Sequence, residues 1–309
     1  MRRRRAVRSF SLTVRMILVG AVLLAFYAAL GTFSVWLAVS QWHRSALFVF
    51  VPAAFALLVL IHVTLADAGV LARSAARHFR RADAPDLHAT VERLAGLAGI
   101  TPPRLALSTV RVPNAFAVGT TPRRATIAVT QQLRSSLDAR ELEAVLAHEL
   151  AHIATRDTLV LTFPGFFRTL AAVLDGRVLL GAGDERFEDD PLGQIGAWAV
   201  HVALAPLRWT LLLFGAALTR ALTRYRDFVA DRAGVTLTGA PEQLMSALQK
   251  IDGDQTRIPD EDLRQLAAAD DFLIVSRRRG MPSFLREHPP LAKRLDRLAT
   301  IAREMGKLR

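Results

Sequence analysis

The stretch His148-Glu149-Leu150-Ala151-His152 decides how the rest of this 309-residue chain is interpreted. On an α-helix, residues four positions apart lie on one face with Cβ atoms about 5–6 Å apart, so both imidazoles can reach one zinc ion. Glu149 then lies beside the metal, where it can take a proton from an activated water. The alternative is a helix whose two histidines only face solvent or pack in a core.

The residues before this stretch predict the helix that such a site requires. Asp138 is suited to the N-cap, and Glu141 follows three residues later, as in a capping box. Apolar residues recur at helical spacing through the same segment. They are Leu142, Val145, Leu146 and Ile153.

The composition favours a membrane protein without thiol chemistry. Hydrophobic residues make up 51% of the chain and the mean hydropathy is +0.26, which is high for a soluble domain. The net charge of +12 is compatible with nucleic-acid binding, but the basic residues cluster beside hydrophobic runs, as membrane-flanking arginines do. We therefore expect no nucleic-acid partner. Because the chain has no cysteine, zinc must be held by histidine and carboxylate.

Two uncharged runs predict a membrane hairpin within residues 1–72. They cover residues 16–39 and 46–66, and each is long enough to cross a bilayer. Arginines are dense before the first run and directly after the second, whereas the loop between them has only Arg44. By the positive-inside rule, the N-terminus and the chain after the second run lie in the cytosol.

A second membrane hairpin is predicted within residues 158–223. It would interrupt a cytosolic domain that otherwise occupies residues 73–309. Arg168 and Arg208 lie inside its two apolar segments, and a charged residue at mid-bilayer is costly. The alternative is a pair of hydrophobic helices that are buried in the soluble domain or lie in the membrane interface.

The region before the zinc helix is predicted to be soluble and to contain both helix and strand. Residues 85–98 have the pattern of an amphipathic helix ended by Gly99, and residues 105–112 that of a strand. Residues 114–119 and 125–130 flank a polar turn, which predicts a β-hairpin.

This hairpin suggests how a substrate binds. An exposed edge strand beside the zinc helix can bind an extended peptide through main-chain hydrogen bonds. We expect Asn114, Ala115 and Phe116 to contact the substrate, although an asparagine after Pro113 is also typical of a turn.

A catalytic zinc requires a third protein ligand and leaves one position open for water. The best candidate is Asp227, within Tyr225–Asp231, which is predicted to be helical. Asp227 and Asp231 would share one face of that helix.

Four segments, taken in order, resemble the HtpX-like family of membrane-bound zinc metallopeptidases, which is related to the CAAX prenyl proteases. The segments are Pro113–Gly119, His148–His152 with Arg156 and Asp157, Arg226–Asp231, and His288–Leu291 with Arg294. The resemblance implies an α+β, mainly helical integral membrane protein. Its transmembrane helices would accompany a zincin-like, gluzincin-type metallopeptidase domain with a small β-sheet and one zinc per chain.

The resemblance also implies roles for residues outside the H-E-x-x-H stretch. Asp231 would accept the free ring N–H of a zinc-bound histidine, with helix capping as the alternative. His288 would donate a hydrogen bond to the oxyanion, and Arg294 would orient a nearby carboxylate. The alternative for His288 is capping of the helix that follows it.

One position departs from the family pattern. The family usually has glutamate where this chain has Asp227, whose side chain is one methylene shorter. The two helices must therefore approach about an ångström closer, or the bond to zinc is lost.

The expected function is that of a zinc endopeptidase of the cell membrane, multi-pass and with its active site facing the cytosol. It would hydrolyse unfolded or damaged membrane proteins, with His148, His152 and Asp227 holding zinc and Glu149 as general base. Its partners would be polypeptide substrates and the lipid bilayer. One alternative is a catalytically impaired scaffold that binds partners or unfolded peptides. Another is a basic membrane-surface protein that binds nucleic acid or anionic lipid and needs no H-E-x-x-H stretch.

Overall fold

The chain divides into two compact units in the computed structural model. The first unit consists of Met1–Ala21, Thr64–Val160 and Leu222–Arg309, and the second of Val22–Val63 and Leu161–Ala221. The structure describes isolated positions between residues 13 and 72, residues 74–119 and 121–157, isolated positions between 167 and 174, and residues 191–255 and 288–307.

The first unit contains a small mixed sheet. Its strands are β1 (Ala76–His78), β2 (Arg104–Ser108), β3 (Ala115–Val118) and β4 (Thr126–Thr130). They lie in the order β1-β2-β4-β3, with β2 and β4 parallel and the other two pairs antiparallel. The β3–β4 pair confirms the predicted hairpin. The short strand β1 was not predicted, because three residues carry no readable alternation.

Most described residues are helical. The α-helices are α1 (Pro85–Ala98), α2 (Gln131–Ser136), α3 (Ala139–Thr155), α4 (Pro191–Thr238), α5 (Pro241–Gln255) and α6 (Leu291–Glu304). Helix α1 has the predicted bounds, and Gly99 ends it in the left-handed region with φ of 70°.

Strands β3 and β4 are buried on both faces, and their side chains alternate between the two faces. Ala115, Ile127 and Val129 belong to the main core, which includes apolar residues of α1, α3 and α5. Phe116 and Val118 point to the other face, where they join a smaller cluster with Val70 and Ala128. The prediction of an exposed edge strand is therefore wrong in one respect. Strand β3 is last in the sheet order, but all its residues are buried because both of its faces are covered.

Helix α3, which carries the H-E-x-x-H stretch, begins as predicted. The Asp138 carboxylate accepts hydrogen bonds from the backbone N–H groups of Arg140 and Glu141, at 2.8 and 2.9 Å. The Glu141 carboxylate in turn accepts one from the Asp138 N–H at 3.0 Å, which completes the capping box. The helix ends at Thr155, where Arg156 adopts a left-handed conformation with φ of 59° and ψ of 25°.

Helix α4 runs for 48 residues without interruption and contains Pro206. Its segment Leu192–Leu218 has a mean hydropathy of 1.4 and is long and apolar enough to cross a membrane, the one such helix in the described part of the chain. Several large apolar side chains along it are exposed. They are Leu192, Ile195, Trp198, Val202, Leu207, Trp209 and Leu213. These features fit a span within 192–223, and the crossing itself stays a prediction.

Of the arginines Arg168 and Arg208 in the predicted apolar segments, the structure describes Arg208. Arg208 directs its guanidinium at the ring of His201, two turns earlier on α4, at 2.9 Å from Nδ1. Arg168 lies outside the described residues. Nearby, Phe167 packs edge-to-face on Phe214, with ring centroids 5.2 Å apart.

The first predicted hairpin, residues 16–39 and 46–66, lies largely outside the described residues. The isolated positions described there are helical.

Glu141 links the beginning of α3 to α5. Its side chain is buried, with Lys250 Nζ 2.7 Å from the carboxylate and the Ser246 hydroxyl donating to it at 2.6 Å. Burial raises the pKa of this carboxyl, but the hydrogen bonds from Lys250 and Ser246 outweigh it. The pKa of Glu141 therefore lies below its usual value of 4.5.

We expect Glu141→Gln to lower the free energy of unfolding by about 1 kcal/mol at pH 7, a modest loss because Lys250 is half exposed. A carboxyl whose pKa is lowered by folding stabilises the protein above its unfolded pKa. That contribution is lost as the pH falls through the folded value. The difference in unfolding free energy between this variant and the wild type should therefore shrink as the pH falls below 4.5, the usual pKa of a glutamate. Denaturant unfolding in detergent at pH 7 and at lower pH measures it.

The matched control is Glu143→Gln, which also lies on α3. Glu143 pairs with Arg93 at 2.8 Å, but the Glu143 side chain is 29% exposed, whereas that of Glu141 is 4% exposed. We expect a smaller change there. A Glu141→Gln effect that is the same at both pH values would contradict the assignment.

Candidate active site

Helices α3 and α4 bring the three predicted zinc ligands together. His148 and His152 lie one turn apart on α3, and their Nε2 atoms are 3.2 Å apart. Asp227, on α4, places Oδ1 3.9 Å from Nε2 of His152. All three side chains are buried. Among the described residues they form the one group whose ligand atoms could share a metal ion, with all of these atoms within 4.8 Å of one another.

The aspartate can reach this position because α3 and α4 nearly touch. The helices meet through small side chains. These belong to Ala151, Ala154, Ala230 and Ala233. A Cβ atom on Gly234 would lie only 3.0 Å from the backbone nitrogen of His148. The close approach that an aspartate at position 227 requires is thus present.

The other ring nitrogen of each histidine faces a buried carboxylate. Nδ1 of His148 lies 2.9 Å from Oδ1 of Asp231, although poorly aligned for a hydrogen bond. Nδ1 of His152 lies 3.0 Å from Oδ2 of Asp157. Because carboxylates only accept, these contacts favour the tautomer with the ring proton on Nδ1 in both histidines. Their Nε2 atoms then face each other as bare lone pairs.

This arrangement fits a divalent cation. Two unprotonated nitrogens so close together repel each other unless a cation lies between them. Nitrogen ligands of a tetrahedral zinc, with bonds of about 2.0–2.1 Å, lie about 3.3 Å apart. Burial, followed by the charge of Arg226, lowers the pKa of His152 to about 4, so its ring is neutral at pH 7 and able to act as a ligand. Two imidazoles and one carboxylate are a donor set that suits zinc.

Glu149 has the protonation behaviour expected of a general base. It is buried and directly follows His148. Burial raises its pKa to about 7, although the charge of Arg226 acts in the opposite direction. A carboxyl with a pKa in this range can both take and return a proton near neutral pH.

Arg294 orients a carboxylate, as predicted, and that carboxylate belongs to Asp231. Its Nε and Nη2 donate to the two oxygens of Asp231 at 2.9 and 2.6 Å. Burial raises the pKa of Asp231, but the charge of Arg294 and the contact with His148 outweigh it and keep this pKa below its usual value. Asp231 therefore stays charged and able to accept the ring N–H of His148.

His288 lies against Asp227, the third predicted ligand. Its Nδ1 is 2.7 Å from Oδ2 of Asp227, so Nδ1 carries a proton. A neutral His288 then has only an acceptor at Nε2, and the predicted donation to an oxyanion would need a second ring proton. The capping alternative is not observed, because α6 begins after Pro290 without a side-chain capping bond.

We expect His288→Ala to weaken zinc binding by about 10- to 100-fold, because Oδ2 of Asp227 loses its hydrogen-bond donor. His288→Asn is the matched variant, since an asparagine amide N–H can take the place of Nδ1–H, and it should keep most of the affinity. Competition against a chromophoric chelator measures both. Unchanged zinc affinity in the alanine variant, with turnover lost, would instead support the oxyanion role.

Sequence reasoning did not assign a role to two residues of the site. Asp157 accepts from the Thr155 hydroxyl at 3.0 Å in addition to its contact with His152. Arg226 is buried and places Nε 3.6 Å from Oδ1 of Asp157 and 3.3 Å from Nδ1 of His152. Burial raises the pKa of Asp157, but the charge of Arg226 and the contacts with His152 and Thr155 together outweigh it, so the pKa lies below its usual value. The available signal was that Arg226 directly precedes a predicted ligand.

The predicted substrate residues Asn114, Ala115 and Phe116 lie in or beside β3, which packs against α3. All three are buried. The backbone N–H of Asn114 donates to the Thr130 hydroxyl, and its carbonyl accepts from the Thr130 N–H at 2.9 Å. Their contact with substrate stays a prediction.

Comparison with known proteins identifies the family. The sequence profile described as Peptidase family M48 matches residues 81–302. The chain belongs to peptidase family M48. The match covers α1 to α5 and most of α6, and thus every residue of the site described above.

Individual members of the M48 family are similar over most of their length. "Protease HtpX homolog" of Moorella thermoacetica is 38% identical over 315 residues, which cover 99% of this chain and 100% of that protein. "Protease HtpX homolog 2" of Methanosarcina acetivorans is 38% identical over 265 residues, or 82% of this chain and 87% of that protein. The predicted resemblance to HtpX-like metallopeptidases is confirmed.

Among solved structures, the crystal structure of S. mikatae Ste24p is similar, with a TM-score of 0.44 and 16% identity. The similarity covers 94% of this chain and 67% of that chain. A likeness of this degree decides neither fold nor function.

Proposed function

We propose that this member of family M48 is a membrane-embedded zinc endopeptidase of the H-E-x-x-H type. The observation that carries the proposal is the pair of facing Nε2 atoms in His148 and His152, with the carboxylate of Asp227 beside them. Each histidine places Nδ1 against a buried carboxylate, an arrangement that favours a proton on Nδ1 and a free lone pair on Nε2 for one metal ion. Membership of a peptidase family supports hydrolysis of peptide bonds as the reaction.

In this proposal His148, His152 and Asp227 hold one zinc, which supplies Lewis acidity toward the substrate carbonyl and makes water more acidic. Glu149 takes a proton from the attacking water on its carboxylate and returns it to the leaving nitrogen. Asp231, which faces Nδ1 of His148, holds that ring in the ligand-forming tautomer. His288 fixes Asp227 through Oδ2, which leaves Oδ1 for the metal.

We propose that the protein lies in the cell membrane with several spans and with its active site on the cytosolic face. The apolar, exposed segment Leu192–Leu218 of α4 supports this, together with the uncharged runs at 16–39 and 46–66 and the arginines that flank them. The substrates would be unfolded or damaged membrane proteins. Two similar proteins are named proteases, which supports a polypeptide substrate.

Zinc content and proteolysis, measured on the detergent-purified full chain, test the proposal. We expect one zinc per chain by elemental mass spectrometry and cleavage of casein that a chelator abolishes. Glu149→Gln should retain zinc and lower turnover by at least about 100-fold, because the base is lost while the ligands remain. Asp227→Ala should lose both zinc and turnover, because only two protein ligands remain.

The same experiment separates the proposed enzyme from the alternatives. A wild-type protein that binds no zinc, even after reconstitution, would favour the scaffold. Casein cleavage that persists in Glu149→Gln would point to a contaminating protease. Zinc that is retained in Asp227→Ala would exclude Asp227 as the third ligand.

A further inference from the structure

One ring nitrogen in the site has two competing partners. Nδ1 of His152 lies 3.0 Å from Oδ2 of Asp157 and 3.3 Å from Nε of Arg226. A carboxylate can only accept a hydrogen bond, and a guanidinium can only donate one. The ring nitrogen must therefore carry a proton to bind Asp157 and must be bare to bind Arg226.

The outcome of this competition decides whether His152 can bind a metal. A neutral imidazole has one N–H, so a proton on Nδ1 leaves the lone pair of Nε2 free. If Nδ1 instead accepts from Arg226, the proton moves to Nε2. It is Nε2 that faces His148 at 3.2 Å, and a protonated Nε2 cannot be a ligand.

We propose that Asp157 is a positioning residue that selects the metal-binding tautomer of His152 against the competing donor Arg226. The inference rests on the proposed zinc site. It concerns two residues to which neither the sequence nor the family comparison assigns a role. The shorter distance belongs to Asp157, and a buried carboxylate accepts an N–H more strongly than a neutral nitrogen does.

The surroundings of Asp157 hold it in this position. The Thr155 hydroxyl donates to the same oxygen, Oδ2, at 3.0 Å. Arg226 lies near the other oxygen, with Nε 3.6 Å from Oδ1, and supplies the opposite charge that a buried carboxylate needs. Arg226 is thus both the counter-ion of Asp157 and its rival for the ring of His152.

The carboxylate that faces His148 has a different relation to its arginine. Arg294 donates from Nε and Nη2 to both oxygens of Asp231, whereas Arg226 directs its Nε toward the ring of His152. Removal of the Asp157 carboxylate should therefore have a consequence that removal of the Asp231 carboxylate does not have. It would leave Arg226 as the neighbour that sets the tautomer of His152.

Zinc affinity in single and double variants of the full chain tests this inference. We expect Asp157→Ala to weaken zinc binding by about 10- to 100-fold. Arg226→Met in the Asp157→Ala background removes the competing donor and should restore most of the lost affinity. Arg226→Met alone should also weaken zinc binding, because Asp157 loses its counter-ion while it still faces Nδ1 of His152. A double variant that binds zinc as weakly as Asp157→Ala, or more weakly, overturns the proposal.

Asp296→Ala is the matched control, because Asp296 is exposed on α6 and should be neutral. The wild type, measured in parallel, distinguishes failure of the proposed zinc site from failure of the inference about Asp157. No zinc in the wild type contradicts the proposed function, whereas zinc in the wild type without rescue in the double variant contradicts only the inference.

A measurement on the metal-free wild type keeps the inference testable if a variant does not fold. Nitrogen NMR of the protein labelled with ¹⁵N-histidine distinguishes the two ring tautomers, and comparison with His152→Gln assigns the signal. We expect His152 to carry its proton on Nδ1. A proton on Nε2 in the metal-free protein overturns the proposal.

Discussion

The contact between α3 and α4 sets the distances on which the site depends. The two helices meet through alanine side chains and Gly234, so their backbones are almost in contact at His148. Close to this contact on α4 lie three charged residues that face the histidines of α3. They are Arg226, Asp227 and Asp231. A shift of one helix would therefore move Asp227, Arg226 and Asp231 together relative to the two histidines. The small side chains are as much a condition of the site as the ligands themselves.

The features that depended on short-range physics could be predicted from the sequence. Two histidines four residues apart on a helix must share a face, and the capping box at Asp138 follows from local hydrogen bonding. Helix α1 ends where glycine permits a left-handed conformation. The β3–β4 hairpin likewise follows from two alternating runs around a polar turn. In each case the residues that decide the structure are neighbours in the chain.

The features that were missed depend on contacts between distant residues or on an unusual backbone conformation. Asp157 contacts His152 directly after Arg156, whose positive φ could not be predicted, since arginine is not a typical residue in that conformation. His288 and Asp227 are 61 positions apart, and nothing local indicates that their side chains meet. The burial of β3 likewise depends on the cluster around Val70, from a segment predicted to be close to the membrane.

The buried groups of the site also have a consequence for how this protein can change. Among the described residues of the site, Glu149, Asp157, Asp227 and Asp231 are four buried carboxylates, while Arg226 and Arg294 are two buried guanidinium groups. The formal excess of two negative charges is what one divalent cation neutralises, and an uncompensated buried charge is strongly destabilising. A descendant that abandoned metal binding would be left with this excess in its core. It could become a stable scaffold only if some of these acidic residues were also lost or were held protonated.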